Sequence, residues 1–588
     1  MGSYPPAGFD VKKVAIIGAG PAGLAAAKYL TAQAAFEEIV IFEQQDQVGG
    51  IWNYTGLAPG SCRAPQEDPF CPPDEPIRLG AKATPIFTSP MYDNLHANIP
   101  GGLMNFSSQK FPDNATLFPE RVMIQEYLVQ YAEDVRGLVQ FSQKVKRVTL
   151  TPRDGHDKWE VETEFTLNGH ITKGTYDAVV VANGHYSTPF IPAMKNMREF
   201  NETYPGVITH SKQYRTPHPF QDQKVVVVGN GPSGLDIALQ INQECMKPVL
   251  MSVRHPTSPG RLAHAGCEEV VEIDEFLVEE KGVRFKDGRV ETDVDAIVFC
   301  TGFLYGYPFL SDAEHKLLTT GRGVNGLYEH IFLIQHPTLV FPSLNMKAAP
   351  WPLSESQAAV FSAVWSNNLQ LPPREEMEAW SQELVRREGD ALHVFKPLGD
   401  GYYINALHDW VMRAKELGKE PPRWNDELMW QRSIFLEAKT RFEQLGCTAQ
   451  TLEELGFHYE PENWGPSDQV SIGIYRDKLN SASSPCLPQQ QPTPRRHRRR
   501  QRQRLGTCLT TSQPLQITEL LVRSRPFTSS LRSRGSATFL VVRLCLCISV
   551  FPAECLTGCL TLTDKPGLLG WLEMSAASVP HDDGTLDG

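Results

Sequence analysis

Two glycine-rich hexapeptides, each followed twenty residues later by a charged side chain, are the parts of this chain best suited to chemistry. The first is Gly18-Ala19-Gly20-Pro21-Ala22-Gly23, and Glu43 lies twenty residues past Gly23. The second is Gly229-Asn230-Gly231-Pro232-Ser233-Gly234, and Arg254 lies twenty past Gly234. A carboxylate there accepts hydrogen bonds from a free ribose 2′-hydroxyl, whereas a guanidinium suits a 2′-phosphate. The first turn is therefore expected to hold a nucleotide with a bare ribose. The second is expected to hold NADPH, with Gly229, Gly231, Ser233, Gly234, Leu235, Asp236 and Arg254 as the binding residues. One chain with both has the parts of a flavoprotein that takes hydride from NADPH.

Such a turn counts only if a strand enters it and a helix leaves it. Val14-Ala15-Ile16-Ile17 is a short apolar run that reads as a buried parallel strand. Good helix formers follow from Leu24 to Leu30, and the start of that helix offers free N–H groups to a pyrophosphate. Ile39 to Phe42 then delivers Glu43. The second copy repeats the order: strand Val225 to Val228, a helix from about Ser233 to Cys245, and strand Val249 to Val253 delivering Arg254. The bland alternative is a pair of structural βαβ units with empty nucleotide sites. An arginine at a strand end can also be a plain solvated charge.

The chain has 588 residues, 41% of them hydrophobic, enough for two or three domains with cores of their own. No secretory signal is evident at the N-terminus. There are 12 cysteines. Those before residue 480 form no close C-x-x-C pair and read as thiols of a reducing compartment, so a cytoplasmic, metal-free protein is expected. From Ser481 onward the composition changes, with 13 basic against 7 acidic residues, while the chain as a whole carries −12. Gln489-Gln490-Gln491 and the basic run Arg495 to Arg500 open this tail. It reads as disordered, or as a mispredicted stretch of the gene. Its apolar patch, Thr538 to Phe551, is too short to span a bilayer and carries Arg543. The acidic body argues against a nucleic-acid partner.

Between the two nucleotide units lie a Pro- and Gly-rich stretch from about Gly49 to Pro119, a helix from Glu120 to about Val135, and strands near Val145–Leu150 and Trp159–Phe165. A buried strand then runs through Ala178 to Ala182 into Asn183-Gly184-His185. The second unit carries a hairpin signal at Asp287-Gly288 and closes with Ala296 to Cys300 before Thr301-Gly302. Helices are expected at Ser354–Asn368, Glu375–Arg387 and Asp426–Leu445. The expected fold is α/β, with two Rossmann-like dinucleotide-binding domains of the glutathione-reductase-like kind. The NADPH domain (191–300) is inserted in an FAD domain (1–190 and 301–478), and 479–588 forms the tail.

Several further residues make the chain resemble the flavin-containing monooxygenases. That family's signature reads Phe or Tyr, x, Gly, three residues, His, three residues, then an aromatic. Here it is Tyr204-Pro-Gly206-Val-Ile-Thr-His210-Ser-Lys-Gln-Tyr214. Gly49-Gly50-Ile51-Trp52 follows the acidic ribose residue. Tyr92 to Pro100 is similar to the stretch that carries the family's active-site asparagine, here Asn98. Asp295 to Phe303 resembles the strand ending in A-T-G-Y, and Pro352 to Gln357 the segment that closes over the flavin. The likeness covers roughly residues 10 to 475 and is nearest to the fungal branch, which includes thiol-oxidising members.

The resemblance implies FAD held by Gly18, Ala19, Gly20, Pro21, Ala22, Gly23, Glu43, Gly50, Ile51, Trp52, Ala97, Asn98, Val145 and Gln357. It implies Asn98 as the catalytic side chain, NADPH and O2 as co-reactants, and a C4a-hydroperoxide of the flavin as the oxidant. The reaction class is that of an N,N-dimethylaniline-type monooxygenase acting on a thiol, thioether or amine. A homodimer is left open. Cys300 and Phe303 depart from the usual Ala and Tyr around Thr-Gly. Tyr214-Arg215 stands where Baeyer–Villiger enzymes have Trp followed by Pro or Asp, which argues against ketone insertion.

A flavoprotein disulfide reductase would need a cysteine pair near the flavin. No cysteine follows Glu43 until Cys62 and Cys71. A non-catalytic nucleotide-binding redox sensor remains the third reading. His210 is read as a structural histidine near the domain junction, Trp52 as packing beside the flavin, and Cys300 as an inert buried thiol.

Overall fold

The computed structural model describes residues 8–60, 62–80, 83–153, 155–310, 314, 316–462 and 464. The chain divides at Pro488, and all described residues belong to the first of its two units. The tail with its arginine run lies outside the described residues.

The apolar run near the N-terminus forms strand Lys13–Ile17, an inner strand of a seven-stranded sheet. The sheet runs in the order Leu327–Tyr328, Phe332–Leu333, Leu339–Val340, Ala178–Val181, Lys13–Ile17, Glu38–Phe42, Val139–Gln140. The five strands from Leu339–Val340 to Val139–Gln140 are parallel. A parallel sheet covered on both faces needs strands apolar throughout rather than alternating. That is why Val14, Ala15 and Ile16 are all fully buried. Val14 and Ile16 face a core shared with the helices Pro21–Gln33 and Pro350–Trp365. Ala15 and Ile17 face the opposite core with Val148, Trp159 and Tyr176. Those residues come from the antiparallel sheet Gln143–Leu150, Trp159–Phe165 and His170–Tyr176.

The second sheet repeats the plan with five parallel strands, in the order Glu268–Val271, Met246–Val253, Lys224–Val228, Ala296–Phe299, Ile208–His210. Val225 and Val227 pack on the helix Pro232–Ile241. Val226 and Val228 pack on Phe276, Val283 and Phe285 of the small sheet Ile273–Leu277, Gly282–Phe285, Val290–Glu291. The hairpin at Asp287-Gly288 is present, with Gly288 at φ 91°. Every strand of the second parallel sheet lies between residues 208 and 299, within the interval that separates Ala178–Val181 from Leu339–Val340 of the first. The two chain segments at the ends of that interval meet. Thr188–Pro189 and Phe303–Leu304 pair antiparallel as a two-stranded ribbon.

The helix Pro350–Trp365 is buried along all but its first residue. It lies against Pro21–Gln33, whose Ala25, Ala26 and Ala27 let the two approach closely. Burying a side chain such as Phe361 contributes roughly 1.5–3 kcal/mol. This packing anchors the first nucleotide helix. The helix expected at Ser233–Cys245 ends earlier, at Ile241, because the chain turns at Asn242 to start the strand at Met246. Among the described residues, no helix is long and apolar enough to cross a membrane.

Candidate functional site

The strand ends set the site. Ile17 is level with Phe42 and with Val181, and Val228 is level with Phe299, so each glycine turn leaves the carboxyl edge of its sheet. Ligands of open α/β sheets bind at that edge. Gly18 has φ 101°, and its N–H donates to the Phe42 carbonyl at 2.8 Å. A Cβ on Gly18 would lie 2.6 Å from the Ala182 carbonyl oxygen. A Cβ on Gly23 would overlap the Gly18 carbonyl oxygen outright. Gly20 caps the helix without a side-chain bond and Pro21 has no N–H. The remaining N–H groups at Ala22 and Gly23 are of the kind that cradles a pyrophosphate.

Glu43 is 4% exposed and completes this turn. One carboxylate oxygen accepts from the Ala19 N–H at 2.7 Å and the other from the Gln45 N–H at 3.0 Å. Burial raises its carboxyl above the usual range, and the backbone donors pull it back. Each oxygen keeps a lone pair for a ribose hydroxyl. Gly49 donates its N–H to the Ala19 carbonyl at 3.0 Å, and Gly50 sits so close to Gly20 that a Cβ would lie 3.1 Å from its Cα. Among the described residues, two buried amide oxygens have no protein partner: Gln125 Oε1, beside Gly49, and Gln143 Oε1, next to the backbone bond that joins Gln143 to Glu43. Orphaned acceptors suit a hydroxyl-rich ligand. The residues present fit an FAD nucleotide. Gln125 and Gln143 were not legible as site residues in the sequence, because neither belongs to a motif.

The other flavin-side residues fall unevenly around this turn. Ile51 and Trp52 are half-buried in the short helical turn Gly50–Trp52, with the Ser89 hydroxyl donating to the Ile51 carbonyl. Ala97 is buried and donates its N–H to the Pro119 carbonyl at 2.9 Å, and Asn98 follows it, exposed at a bend. Val145 is half-buried in the strand that begins beside Glu43. Gln357 directs its side chain into the protein. It is fully buried in Pro350–Trp365, with Oε1 accepting from the Ser343 N–H at 2.7 Å and Nε2 reaching Asn345 and Tyr403 at 3.3 Å. Its amide holds the 343–345 loop to the helix and is fully engaged within the protein.

The second turn copies the first. Gly229 has φ 105°, its N–H donates to the Ser252 carbonyl at 2.9 Å, and a Cβ on it would lie 2.9 Å from the Cys300 carbonyl oxygen. A Cβ on Gly234 would overlap the Gly229 carbonyl oxygen. Nothing lies within 4 Å of the Cβ position of Gly231, which leaves open space at the turn, and Ser233 is exposed. The side chains of two expected NADPH-binding residues are engaged within the protein. Leu235 packs into the domain core, and the Asp236 carboxylate is taken by Tyr92 and Gln240. Side chains of a helix point in different directions even where its backbone start faces a ligand.

Arg254 is exposed and bonds Glu272 through Nε at 3.2 Å, while Glu272 also pairs with Lys286 at 2.7 Å. Exposed pairs of this kind contribute little, so the guanidinium is available to a phosphate. Beside it, Asn230 Nδ2 donates to the His255 carbonyl at 2.9 Å and to Thr257 at 2.8 Å. Asn230, Thr257, Ser258 and Arg261 line a cavity of about 480 Å³. Arg254→Ala is expected to weaken NADPH binding by about 1.5–3 kcal/mol, the worth of a hydrogen bond to a charged group. Titration of NADPH against NADH checks it. An unchanged preference for NADPH hands the phosphate to Arg261 and its neighbours.

The signature segment ties together the two chain segments that meet at the ribbon Thr188–Pro189 with Phe303–Leu304. His210 is 1% exposed; its Nδ1 accepts from the Lys212 N–H at 3.1 Å, so the proton sits on Nε2, which donates to the Gly302 carbonyl at 3.0 Å. Burial lowers its pKa to about 4, which keeps the ring neutral. Gly302, at φ 85°, also takes the Phe190 N–H. Lys212 pairs with Asp74 at 2.6 Å and donates to the Ser187 carbonyl. It thereby fastens the segment around Asp74 to the chain at Ser187. Cys300 closes the strand Ala296–Phe299 with its thiol pushed up to about 12 by burial, so it is no nucleophile at neutral pH.

The model of the flavin-binding monooxygenase-like family matches residues 87–266 and 267–408. That of the NAD(P)-binding Rossmann-like domain matches 16–64. A thiol-specific monooxygenase of Saccharomyces cerevisiae is 33% identical over 463 residues, 76% of this chain and 96% of that protein. The flavin-containing monooxygenase FMO GS-OX5 of Arabidopsis thaliana is 30% identical over 496 residues, 81% of this chain and 96% of its own length. The solved structure of S-allyl-L-cysteine S-oxygenase from Allium sativum superposes with a TM-score of 0.60 at 25% identity, covering 80% of this chain and 99% of that one.

Proposed function

This chain belongs to the flavin-binding monooxygenase-like family, and from that premise we propose sulfur as the atom it oxidises. It is an FAD- and NADPH-dependent monooxygenase with two Rossmann-like domains. Overall, NADPH, a proton, O2 and a soft nucleophile give NADP+, water and the oxygenated product. The flavin supplies the redox chemistry when bound. The chain's own residues bind, orient and exclude water. Glu43 and the first turn hold the FAD nucleotide, and Arg254 and the second turn hold NADPH. Asn98, exposed at its bend, is the side chain assigned to the reaction centre. The segment around Gln66 and Asp74, held by the Gln66–Ile191 backbone pair and by Lys212, supplies one wall of the substrate pocket. Residues up to 190 and from 301 are assigned to the FAD domain and 191–300 to the NADPH domain.

The observation that carries this reading is the pair of matched turns ending in opposite charges, Glu43 and Arg254, in one family-matched chain. The choice of sulfur is supported by the thiol-specific and S-oxygenase relatives. Amine oxidation of the N,N-dimethylaniline type is the finer alternative. The six described cysteines are free thiols, which suits a cytoplasmic setting. The purified protein is expected to be yellow, to oxidise NADPH ahead of NADH, and to consume one O2 per thiol or thioether oxygenated. Colourless protein that takes up no FAD would falsify the reading. Turnover of N,N-dimethylaniline with none of thiols or thioethers would move the substrate class to amines.

A further inference from the structure

Asp236 stands two residues after Gly234, yet its carboxylate serves the junction between the two nucleotide units. One oxygen accepts the Tyr92 hydroxyl and the other accepts from Gln240 Nε2 at 3.1 Å. Gln240 Oε1 in turn accepts the Tyr214 hydroxyl at 3.0 Å, and the Tyr92 and Tyr214 rings meet edge to face at 5.2 Å. Tyr92, Tyr214 and Gln240 are all buried. Next in the chain, Asp93 donates its N–H to the Arg215 carbonyl at 3.0 Å. The segment that ends at Asn98 is therefore stapled at its start to the second nucleotide unit. Its other end is stapled to the first-unit chain: His96 Nδ1 lies 3.0 Å from the Phe118 carbonyl, and Ala97 donates to Pro119.

We propose that the Tyr92–Asp236 hydrogen bond is a positioning contact that sets the reach from the second nucleotide helix to Asn98. It rests on the monooxygenase reading and on Asn98 at the reaction centre. Asp236 is half-buried, and hydrogen bonds to a carboxylate are short and directional. Both ends of this one are fixed, by the helix Pro232–Ile241 on one side and the Asn98 segment on the other. A shift of about 1 Å in such a linkage degrades positioning far more than folding. The consequence falls on the oxygen-using half of the cycle, in which the Asn98 segment and the second nucleotide helix have to stay in register. Loss of register lets NADPH, a proton and O2 end as NADP+ and hydrogen peroxide, with no substrate oxygenated.

The test uses the flavin-loaded full chain with no nucleophile added, so that no substrate need be known. Tyr92→Phe removes one hydroxyl, and Asp236→Leu removes the acceptor. Tyr92→Phe is expected to keep its flavin, a KM for NADPH within twofold and an anaerobic reduction rate within twofold, and Asp236→Leu to keep its flavin. The rate at which the NADPH-reduced protein releases peroxide on exposure to O2 should rise at least fivefold in each. The double variant should be no leakier than either single one, because the two groups act as a unit. If Tyr92→Phe fails to hold flavin, Asp236→Leu carries the same expectation. A yellow, NADPH-reducible variant with the wild-type peroxide rate overturns this inference alone. Colourless wild-type protein, or wild-type protein that NADPH does not reduce, overturns the reading beneath it.

Discussion

Gly23→Ala protein should purify without flavin, whereas Gly234→Ala protein should stay yellow and resist reduction by NADPH. The two glycines have the same geometry. Each stands at the start of a nucleotide helix, and a Cβ on either would overlap the carbonyl oxygen of the glycine that opens its turn, Gly18 or Gly229. Neither turn can give way. Gly18 is itself hemmed in by the Ala182 carbonyl oxygen and Gly229 by that of Cys300. The helix has to back off the strand, and overpacking of this kind typically costs about 1–3 kcal/mol or more. The displaced N–H groups then no longer converge on a pyrophosphate. The flavin-to-protein absorbance ratio and NADPH-dependent bleaching without oxygen read the two outcomes separately. Flavin retained in Gly23→Ala together with flavin lost in Gly234→Ala would reverse the assignment of the two sites.

Acidification from pH 7 to pH 5 should cost this protein several kcal/mol of stability through buried histidines. His210, His330 and His393 are each 1–2% exposed. Burial holds His210 at about 4 and His393 at about 3, with His330 also well below its usual range. The hydrogen bonds explain why none can take a proton without loss. His393 Nε2 accepts from the Val324 N–H at 3.1 Å, so its proton lies on Nδ1, which faces His330 Nδ1 at 3.0 Å. The folded pKa values lie below the unfolded value near 6.5, so the unfolded chain binds more protons in between. The stabilisation is complete above pH 6.5 and is lost as pH falls from there towards the folded values. Each histidine contributes about 1.4 kcal/mol per pH unit across that window, or about 2 kcal/mol by pH 5. Urea unfolding at several pH values measures the slope. His210→Gln should flatten it by the share of one histidine, and a wild-type curve level between pH 7 and 5 would remove the argument.

Much of the fold is legible in the amino-acid sequence because its signals are local. Apolar runs mark the strands around Val14, Ile39, Val179, Val226 and Ile297, and the helices at 350–365, 374–388 and 426–444 follow the expected segments closely. The helix Gly399–Val411 and the strand His170–Tyr176 were not expected. The first opens on glycines after Leu398 in the left-handed region, and the second is a largely exposed edge without apolar alternation.

By itself the sequence determined two nucleotide turns and the charges that distinguish them. A glycine turn is specified within six residues, and the strand it follows and the helix it starts are contiguous with it. Tertiary structure alone decided where Asp236, Gln357 and His210 direct their hydrogen bonds. Asp236 meets Tyr92 across 144 residues, Gln357 meets Tyr403 across 46, and His210 meets Gly302 across 92. A helix start can be read from its neighbours in the chain. The direction of a buried polar side chain is set by whichever distant segment packs beside it, since a buried polar group left unpaired is costly, and no local pattern encodes that partner.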